Sequence, residues 1–321
     1  MALAGASENV AVSKHVLVTG ANGFIGSRFV QEAVSQGHRV TALDRPGCVW
    51  DRVEPSDAVS RVEMDVSDAA ALEPVLGGVD VVVHFAWSGN PAMSWEHPDD
   101  EVERNLRPTV ALFESAARAG VQRLVFPSSG GTVYGPSAEA LDEEAPTFPF
   151  NPYGIAKLSA EHFLRYVGAR FDVNWQVYRI GNAYGPGARL TGDQGVIGIW
   201  MRQLRDGEPL RAFGDHETRR DYIATDDLAA LMMYSLRDFA EDGVFNLGTG
   251  RGVTIPELLT LVQAAAGREG EVVWQERRSL DNQFVVLDPA KIVGRFPGFT
   301  FRQLEDELPR VWASVCEAGP A

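Results

Sequence analysis

Cysteine is scarce in this chain: Cys48 and Cys316 are its two thiols in 321 residues. They lie far apart with no CxxC, which argues against a disulfide framework and against a cysteine zinc site. Buried or inert thiols are expected. The six histidines show no HxH or HExxH spacing, so no metal is expected. Long apolar runs are missing too. None approaches the roughly 20 residues that span a bilayer, and the opening MALAGASENVAVSKH lacks the basic start and apolar stretch of a secretory leader. A cytoplasmic protein with no membrane partner is expected. Basic residues are also few, 29 against 44 acidic, for a formal charge of −15. A nucleic-acid partner would call for a basic stripe to replace phosphate counterions, so none is expected. The acidic runs HPDDEVE (97–103) and LDEEAP (141–146) read as solvated surface.

What the chain has is apolar mass: 45 % of its residues are hydrophobic, enough for one large core or two lobes. In the first half the short apolar runs HVLVTG (15–20), RVTALD (39–44), VDVVVHFA (79–86), VQRLVFPSS (121–129) and VNWQVYRI (173–180) alternate with helical patterns near 24–36, 100–119 and 152–169. Strands separated by helices imply right-handed crossovers and a parallel sheet covered on both faces. The fold class is therefore α/β, a Rossmann-like doubly wound parallel sheet with a smaller interleaved C-terminal substrate-binding lobe. After Gly181 the rhythm changes to Gly- and Pro-rich loops, a helix near 194–206 and a short strand at 210–213. TDDLAALMMYSL (225–236) and VFNLG (244–248) then return to the sheet as a helix and a strand. A Thr254-capped helix toward 266, an isolated strand EVVW (271–274) and a terminal helix near 301–316 complete the pattern. Residues 1–180, with 225–250, are assigned to the larger lobe, and 181–224 with 251–321 to the smaller.

The first strand runs into TGANGFIGSRF, which sets Gly20, Gly23 and Gly26 in a GxxGxxG turn opening a helix. Glycine there lets a cofactor pyrophosphate approach the backbone, and the helix N-terminus offers free N–H groups. A turn that merely packs helix on strand would look the same. Asp44 ends the second strand, where a carboxylate can accept hydrogen bonds from adenosine ribose hydroxyls and repel a 2′-phosphate. NAD is favoured over NADP on that ground, with Arg45 next door as the feature that would suit the phosphate. Asp65, after the third strand, reads either as an adenine contact or as a helix cap. NPYGIAK places Tyr153 and Lys157 four apart at a helix start, on one face. The order of glycine turn, acidic strand end, serine-rich strand end and YxxxK follows the C-terminal edge of a parallel sheet, where ligands bind.

In TGANGFIG, VVVHFA, SSxxTVYG, NPYGxxK, RxxNxYGP, RRDYIxxxDL and FNLGTG, spread from about residue 14 to 310, the chain resembles the extended short-chain dehydrogenase/reductase family, in its nucleotide-sugar epimerase/dehydratase branch. The resemblance implies that Tyr153 is the acid/base and that Lys157 binds the nicotinamide ribose and lowers the tyrosine pKa. It implies cofactor contacts from Gly20, Gly23, Phe24, Ile25, Gly26, Asp44, Arg45, Asp65, Val66, Phe85, Ala86 and Lys157. On the substrate side it implies Asn182, Arg220 and Arg278 at the diphosphate, Asp281 at the nucleotide ribose, Phe213 against the base, and Gln194 and Val196 at the helix start beside it. A homodimer through the helices near 100–119 and 152–169 is implied likewise.

The chain departs from the family pattern in SSGGTVYG. Three residues before Val133 the family has Ser or Thr, which shares the hydroxyl proton with the tyrosine; here stands Gly130. Thr132 or Ser129 is expected to supply the hydroxyl across the double glycine. Dehydratases of the family carry an Asp–Glu pair immediately before VYG, where this chain has Gly131 and Thr132, so elimination is disfavoured. Trp87 replaces a small residue beside the sugar and reads either as packing or as an apolar wall for it. The expected activity is 4-epimerisation of a nucleotide-diphospho-sugar with bound NAD. The alternatives are a 4-ketoreductase and a catalytically weak binder of NAD and nucleotide sugar.

Overall fold

The computed structural model describes residues 13–188, 190, 195–238, 240–275 and 283–319. Seven parallel strands form the main sheet: β1 His15–Thr19, β2 Arg39–Asp44, β3 Val59–Glu63, β4 Val81–His84, β5 Arg123–Ser129, β6 Asn174–Ile180 and, much later in the chain, Gly243–Leu247. Their spatial order is the last strand, then β6, β5, β4, β1, β2, β3. The order reverses between β1 and β4, the topological switch point at which doubly wound sheets bind ligands.

Side chains alternate across this sheet as the strand period requires. Val16, Val18, Val81, Val83 and Val125 face one layer with the helices Gly26–Ser35 and Thr225–Met232. Leu17, Val82, Leu124, Phe126 and Val177 face the other, with Arg107–Arg118 and Pro152–Phe171. Both layers are buried, which is why the strands read as continuous apolar runs.

The C-terminal half adds what the sequence pattern did not show. β7 Asn182–Tyr184, β9 Arg219–Ala224, β11 Gly252–Thr254 and β13 Phe284–Val285 make a four-stranded sheet. These strands have two to six residues each, too short to carry a period. EVVW is not isolated: β12 Val272–Gln275 pairs in parallel with β8 Leu210–Phe213. The strand Gly243–Leu247, β10 in chain order, pairs in parallel with β6 as expected. Thr254 caps Ile255–Ala266 in a reciprocal box with Glu257. That helix packs with Val196–Asp206 and Leu304–Glu317 around a third core.

One buried carboxylate organises the join. Asp221 Oδ1 accepts from Thr249 N (2.8 Å) and Thr249 Oγ1 (2.6 Å), and Oδ2 from Gly250 N (3.1 Å) and Leu287 N (3.2 Å). Burial pushes its pKa up while these donors oppose the shift. Of the two cysteine expectations, burial fails, since Cys316 is exposed and Cys48 half-exposed, whereas the Cys48 thiol, pushed up by desolvation and by Asp44 and Glu63, is of the inert kind.

Candidate active site

The glycine turn is shaped by its own contacts first. Gly20 has φ +65°, and a Cβ there would lie 2.7 Å from Ala86 N; at Gly26 it would lie 2.2 Å from Gly20 O. Both glycines are therefore required by backbone packing alone, with or without a ligand. What suits a dinucleotide is the helix they open. Gly26–Ser35 starts at Ile25 with no side-chain cap and no acidic residue in its first turn; Ser27 N–H is spent on Gly23 O (3.0 Å), and the dipole of the helix start still suits an anion. Asp44 closes the other side: Oδ2 accepts from Asn22 N (2.9 Å) and Oδ1 from Arg45 N (2.9 Å). The residues present thus fit a dinucleotide without a 2′-phosphate.

Phe85 packs its ring 5.6 Å from Phe29, and Ala86 N donates to Thr19 Oγ1 (3.3 Å). Asp65 is exposed and accepts from Ser67 N (2.8 Å), which draws its pKa down. It is not the helix cap. That role belongs to Asp68, which accepts from Ala71 N (3.1 Å). Phe24, Arg45 and Val66 lie in the same loops, at the ends of β1, β2 and β3.

Asn151 caps the helix Pro152–Phe171, accepting from Gly154 N (2.7 Å), with Pro152 in the first turn. This start fixes Tyr153 and places Lys157 one turn on. Lys157 is buried; its Nζ donates to Pro127 O (3.0 Å) and lies 3.9 Å from the Trp87 ring centre. Desolvation lowers its pKa to about 7, against the pull of Glu101 and Glu161. The Tyr153 ring meets Trp87 edge to face, centroids 6.1 Å apart. Its phenol is pushed above the ordinary value by burial and then by Glu101. The Lys157 ammonium donates to the Pro127 carbonyl, covers the Trp87 face and lies 5.8 Å from the Tyr153 ring centre.

Behind the pair, His84 is buried between two hydroxyls, with Nδ1 2.7 Å from Thr19 Oγ1 and Nε2 2.9 Å from Thr109 Oγ1. Thr109 donates its own proton to Asn105 O (2.7 Å), so it accepts from Nε2–H and the ring is the neutral Nε2 tautomer. Burial, and then the Lys157 charge, lower the His84 pKa to about 3.

The SSGGTV segment ends β5 in a short helical turn, Gly130–Val133. Gly154 lets the Tyr153 helix press on it, since a Cβ there would lie 2.4 Å from Thr132 O. Thr132 Oγ1 is buried and has no hydrogen-bond partner among the described residues. Ser129 is half-exposed and makes no capping bond to the turn. Ser128 is committed elsewhere, donating to Glu161 Oε1 (2.5 Å), which is itself paired with Arg179 at 2.8 Å from Oε2.

Asn182 and Arg220 come together on paired strands, with Asn182 Nδ2 donating to Asp221 O (3.0 Å). Arg220 donates to the carbonyls of Arg219 (2.9 Å) and Gln283 (3.2 Å). Phe213 ends β8 on the two-stranded ribbon with its ring half-exposed, and Val196 is the first residue of its helix, after Gly195 at φ +88°. Gln194, Arg278 and Asp281 lie outside the described residues.

The acidic runs are not all solvated. Glu101 in 97–103 is buried and accepts from Trp87 Nε1 (3.0 Å) and Asn105 Nδ2 (2.9 Å). Glu143 in 141–146 accepts from Asn246 N (2.7 Å). Glu101 was hidden by its charged neighbours; the available signal was Asn105 four residues on, on the same helical face.

A glycine turn, an acidic strand end and a Tyr–Lys pair at one sheet edge define a dinucleotide-dependent α/β enzyme. The chain belongs to the NAD dependent epimerase/dehydratase family, whose sequence profile matches residues 16–248. It is 27% identical over 94% of its length to the dTDP-4-dehydro-6-deoxyglucose reductase of Escherichia coli, covering 97% of that protein. It is 33% identical over 79% of its length to the UDP-glucose 4-epimerase of Mycolicibacterium smegmatis, covering 83% of it. The solved UDP-glucose 4-epimerase of Thermus thermophilus, a complex with NAD, superposes with TM-score 0.86 at 31% identity, over 95% of this chain and 100% of that one.

Proposed function

We propose that the protein is an NAD-dependent nucleotide-diphospho-sugar 4-epimerase. The observation that carries this is the Tyr153–Lys157 pair, set by the Asn151 cap beside the uncapped glycine turn, on a chain without carboxylates at Gly131 and Thr132 for elimination. Bound NAD supplies the acceptor and donor of hydride at the sugar C4.

The chain's own residues do the rest. Tyr153 takes the proton of the C4 hydroxyl and returns it after the 4-keto sugar has turned over about its phosphate linkage. A phenol held high by burial needs a nearby cation to release its proton near neutral pH, and Lys157 is the cation this chain supplies. Thr132 is the hydroxyl we assign beside Tyr153, on the ground of its unpartnered buried oxygen; Ser129 is the second candidate. Asp44 holds the adenosine ribose of NAD. Asn182 and Arg220, with Arg278, clamp the diphosphate, Phe213 and Val196 flank the base, and Asp281 holds its ribose.

A net 4-ketoreductase is the second reading, supported by the Escherichia coli relative. Asp44 weighs against it, because reductases of biosynthesis usually prefer NADPH. We assign the protein to the cytoplasm as a homodimer. The dimer is supported by exposed Val102, Phe163 and Tyr166 on the helical stretches 98–118 and 152–171. Among the described residues no helix is long and apolar enough to cross a membrane.

The test is to mix purified protein with a panel of nucleotide sugars, no cofactor added, and follow NMR in deuterated water. Stereoisomers without solvent deuterium support the epimerase. Dependence on stoichiometric NADPH supports the reductase, and no change with any sugar supports the binder.

A further inference from the structure

The acidic run before the helix Arg107–Arg118 contains a turn of π-helix, Glu101–Leu106, an irregularity that often marks functional sites. It directs Glu101 and Asn105 inward while Val102, Glu103 and Arg104 stay exposed. Asn105 latches the loop after β4: its Oδ1 accepts from Ser88 N (2.8 Å) and Ser88 Oγ (2.9 Å), and its Nδ2 donates to Ser88 O (2.8 Å). Glu101 Oε2 accepts from the Trp87 indole N–H, and Oε1 fills the space beside Gly89, where a Cβ would lie 3.4 Å away. Gly89 has φ +87°, a conformation that favours glycine there. The indole so held has Lys157 Nζ 3.9 Å from its ring centre, meets the Tyr153 ring edge to face at 6.1 Å, and packs 5.8 Å from the Phe126 ring, with Lys157 Nζ itself 5.8 Å from the Tyr153 ring.

A buried carboxylate is costly unless it is hydrogen-bonded and paired. Burial pushes its pKa up, and its two donors, an amide and an indole, together with the Lys157 charge, oppose that shift.

Resting on the epimerase reading, we propose that Glu101 is the positioning residue of the sugar pocket: its carboxylate holds the Trp87 indole against both Lys157 and Tyr153 as the fixed wall that decides which sugar fits. The same charge acts on both ends of the pair, raising the pKa of Tyr153 and of Lys157. Asp100, His84 and Glu161 are the other ionisable groups that act on them, Glu161 being paired with Arg179. Glu96, His97, Glu103 and Arg104 on the neighbouring stretch face solvent.

Two variants separate contact from charge. Glu101→Gln keeps an acceptor for the indole and loses the charge, so the Trp87 indole resonance, assigned with Trp87→Phe, stays in place while the Tyr153 limb of the pH–rate profile moves to lower pH. Glu101→Leu loses the acceptor: the resonance shifts, KM rises on the order of tenfold, kcat changes less, and selectivity among sugar epimers relaxes. If Glu101→Leu does not fold, Trp87→Phe, which lacks the N–H but keeps a ring, must give the same KM rise. An unmoved indole resonance in Glu101→Leu overturns the proposal, as does a fall in kcat with KM and selectivity unchanged. Should the wild type interconvert no nucleotide sugar, the epimerase reading fails, and the resonance still decides whether Glu101 positions Trp87.

Discussion

Leu287 occupies the space that a side chain at Gly130 would need. An ideal Cβ on Gly130 falls 2.4 Å from Leu287 Cδ1 and 2.9 Å from Cδ2, and Leu287 is wholly buried. The leucine is held there by Asp221, which accepts its N–H, and by its bridge to Leu141. The hydroxyl missing from the family pattern is thus displaced by a core residue.

Restoring that hydroxyl alone is expected to fail. Gly130→Ser should overpack the site and cost about 1–3 kcal/mol. Leu287→Ala alone should cost about 2–5 kcal/mol through its cavity. Combined, the two should be less destabilising than their sum, because each relieves the other. Denaturant unfolding of the three variants measures this, and strict additivity would refute the steric account.

Thr132→Val is expected to separate stability from activity. Its buried hydroxyl has no partner among the described residues, so replacing it with a methyl should leave unfolding free energy unchanged or raise it by about 1 kcal/mol. Turnover should fall, whereas Ser129→Ala should have the smaller effect. Steady-state kinetics with thermal unfolding checks both, and the reverse ranking would move the role to Ser129.

Lys157 should leave a mark on stability against pH. Its pKa goes from the ordinary 10.5 to about 7 in the folded, nucleotide-free chain. Between those values the unfolded chain binds a proton that the folded one lacks, so stability rises with pH across that window. Lys157→Met should lack this rise. Urea midpoints at several pH values for both proteins test it, and parallel curves would contradict it.

Asp44→Asn should weaken the preference for NAD over NADP, chiefly by removing charge repulsion toward the 2′-phosphate. Titrating both dinucleotides into protein freed of nucleotide reads this directly. An unchanged ratio would mean that Asp44 serves only to hold the Asn22 and Arg45 N–H groups.

Much of this was legible in the sequence because it is local or periodic. The strands of the main sheet show as apolar runs since both faces are covered, and the pattern near 152–169 shows the helix that carries Tyr153, while its Asn151 cap came from the structure. The four-stranded sheet of the C-terminal half was not legible, as its strands are shorter than any period and pair across the chain. Glu101 was misread for a related reason: a π-turn changes which residues face inward, and no charge pattern reports that. The Gly130–Leu287 exchange joins residues far apart in the chain, so only packing reveals it. That Lys157 donates to the Pro127 carbonyl and lies over the Trp87 ring also required geometry.

The most direct test uses a nucleotide sugar carrying deuterium at C4, incubated with the enzyme as purified. The account predicts its conversion to the 4-epimer with the label retained at C4, and loss of that conversion by at least about 100-fold in Tyr153→Phe. Label lost to solvent, or near-normal conversion by the phenylalanine variant, would contradict it.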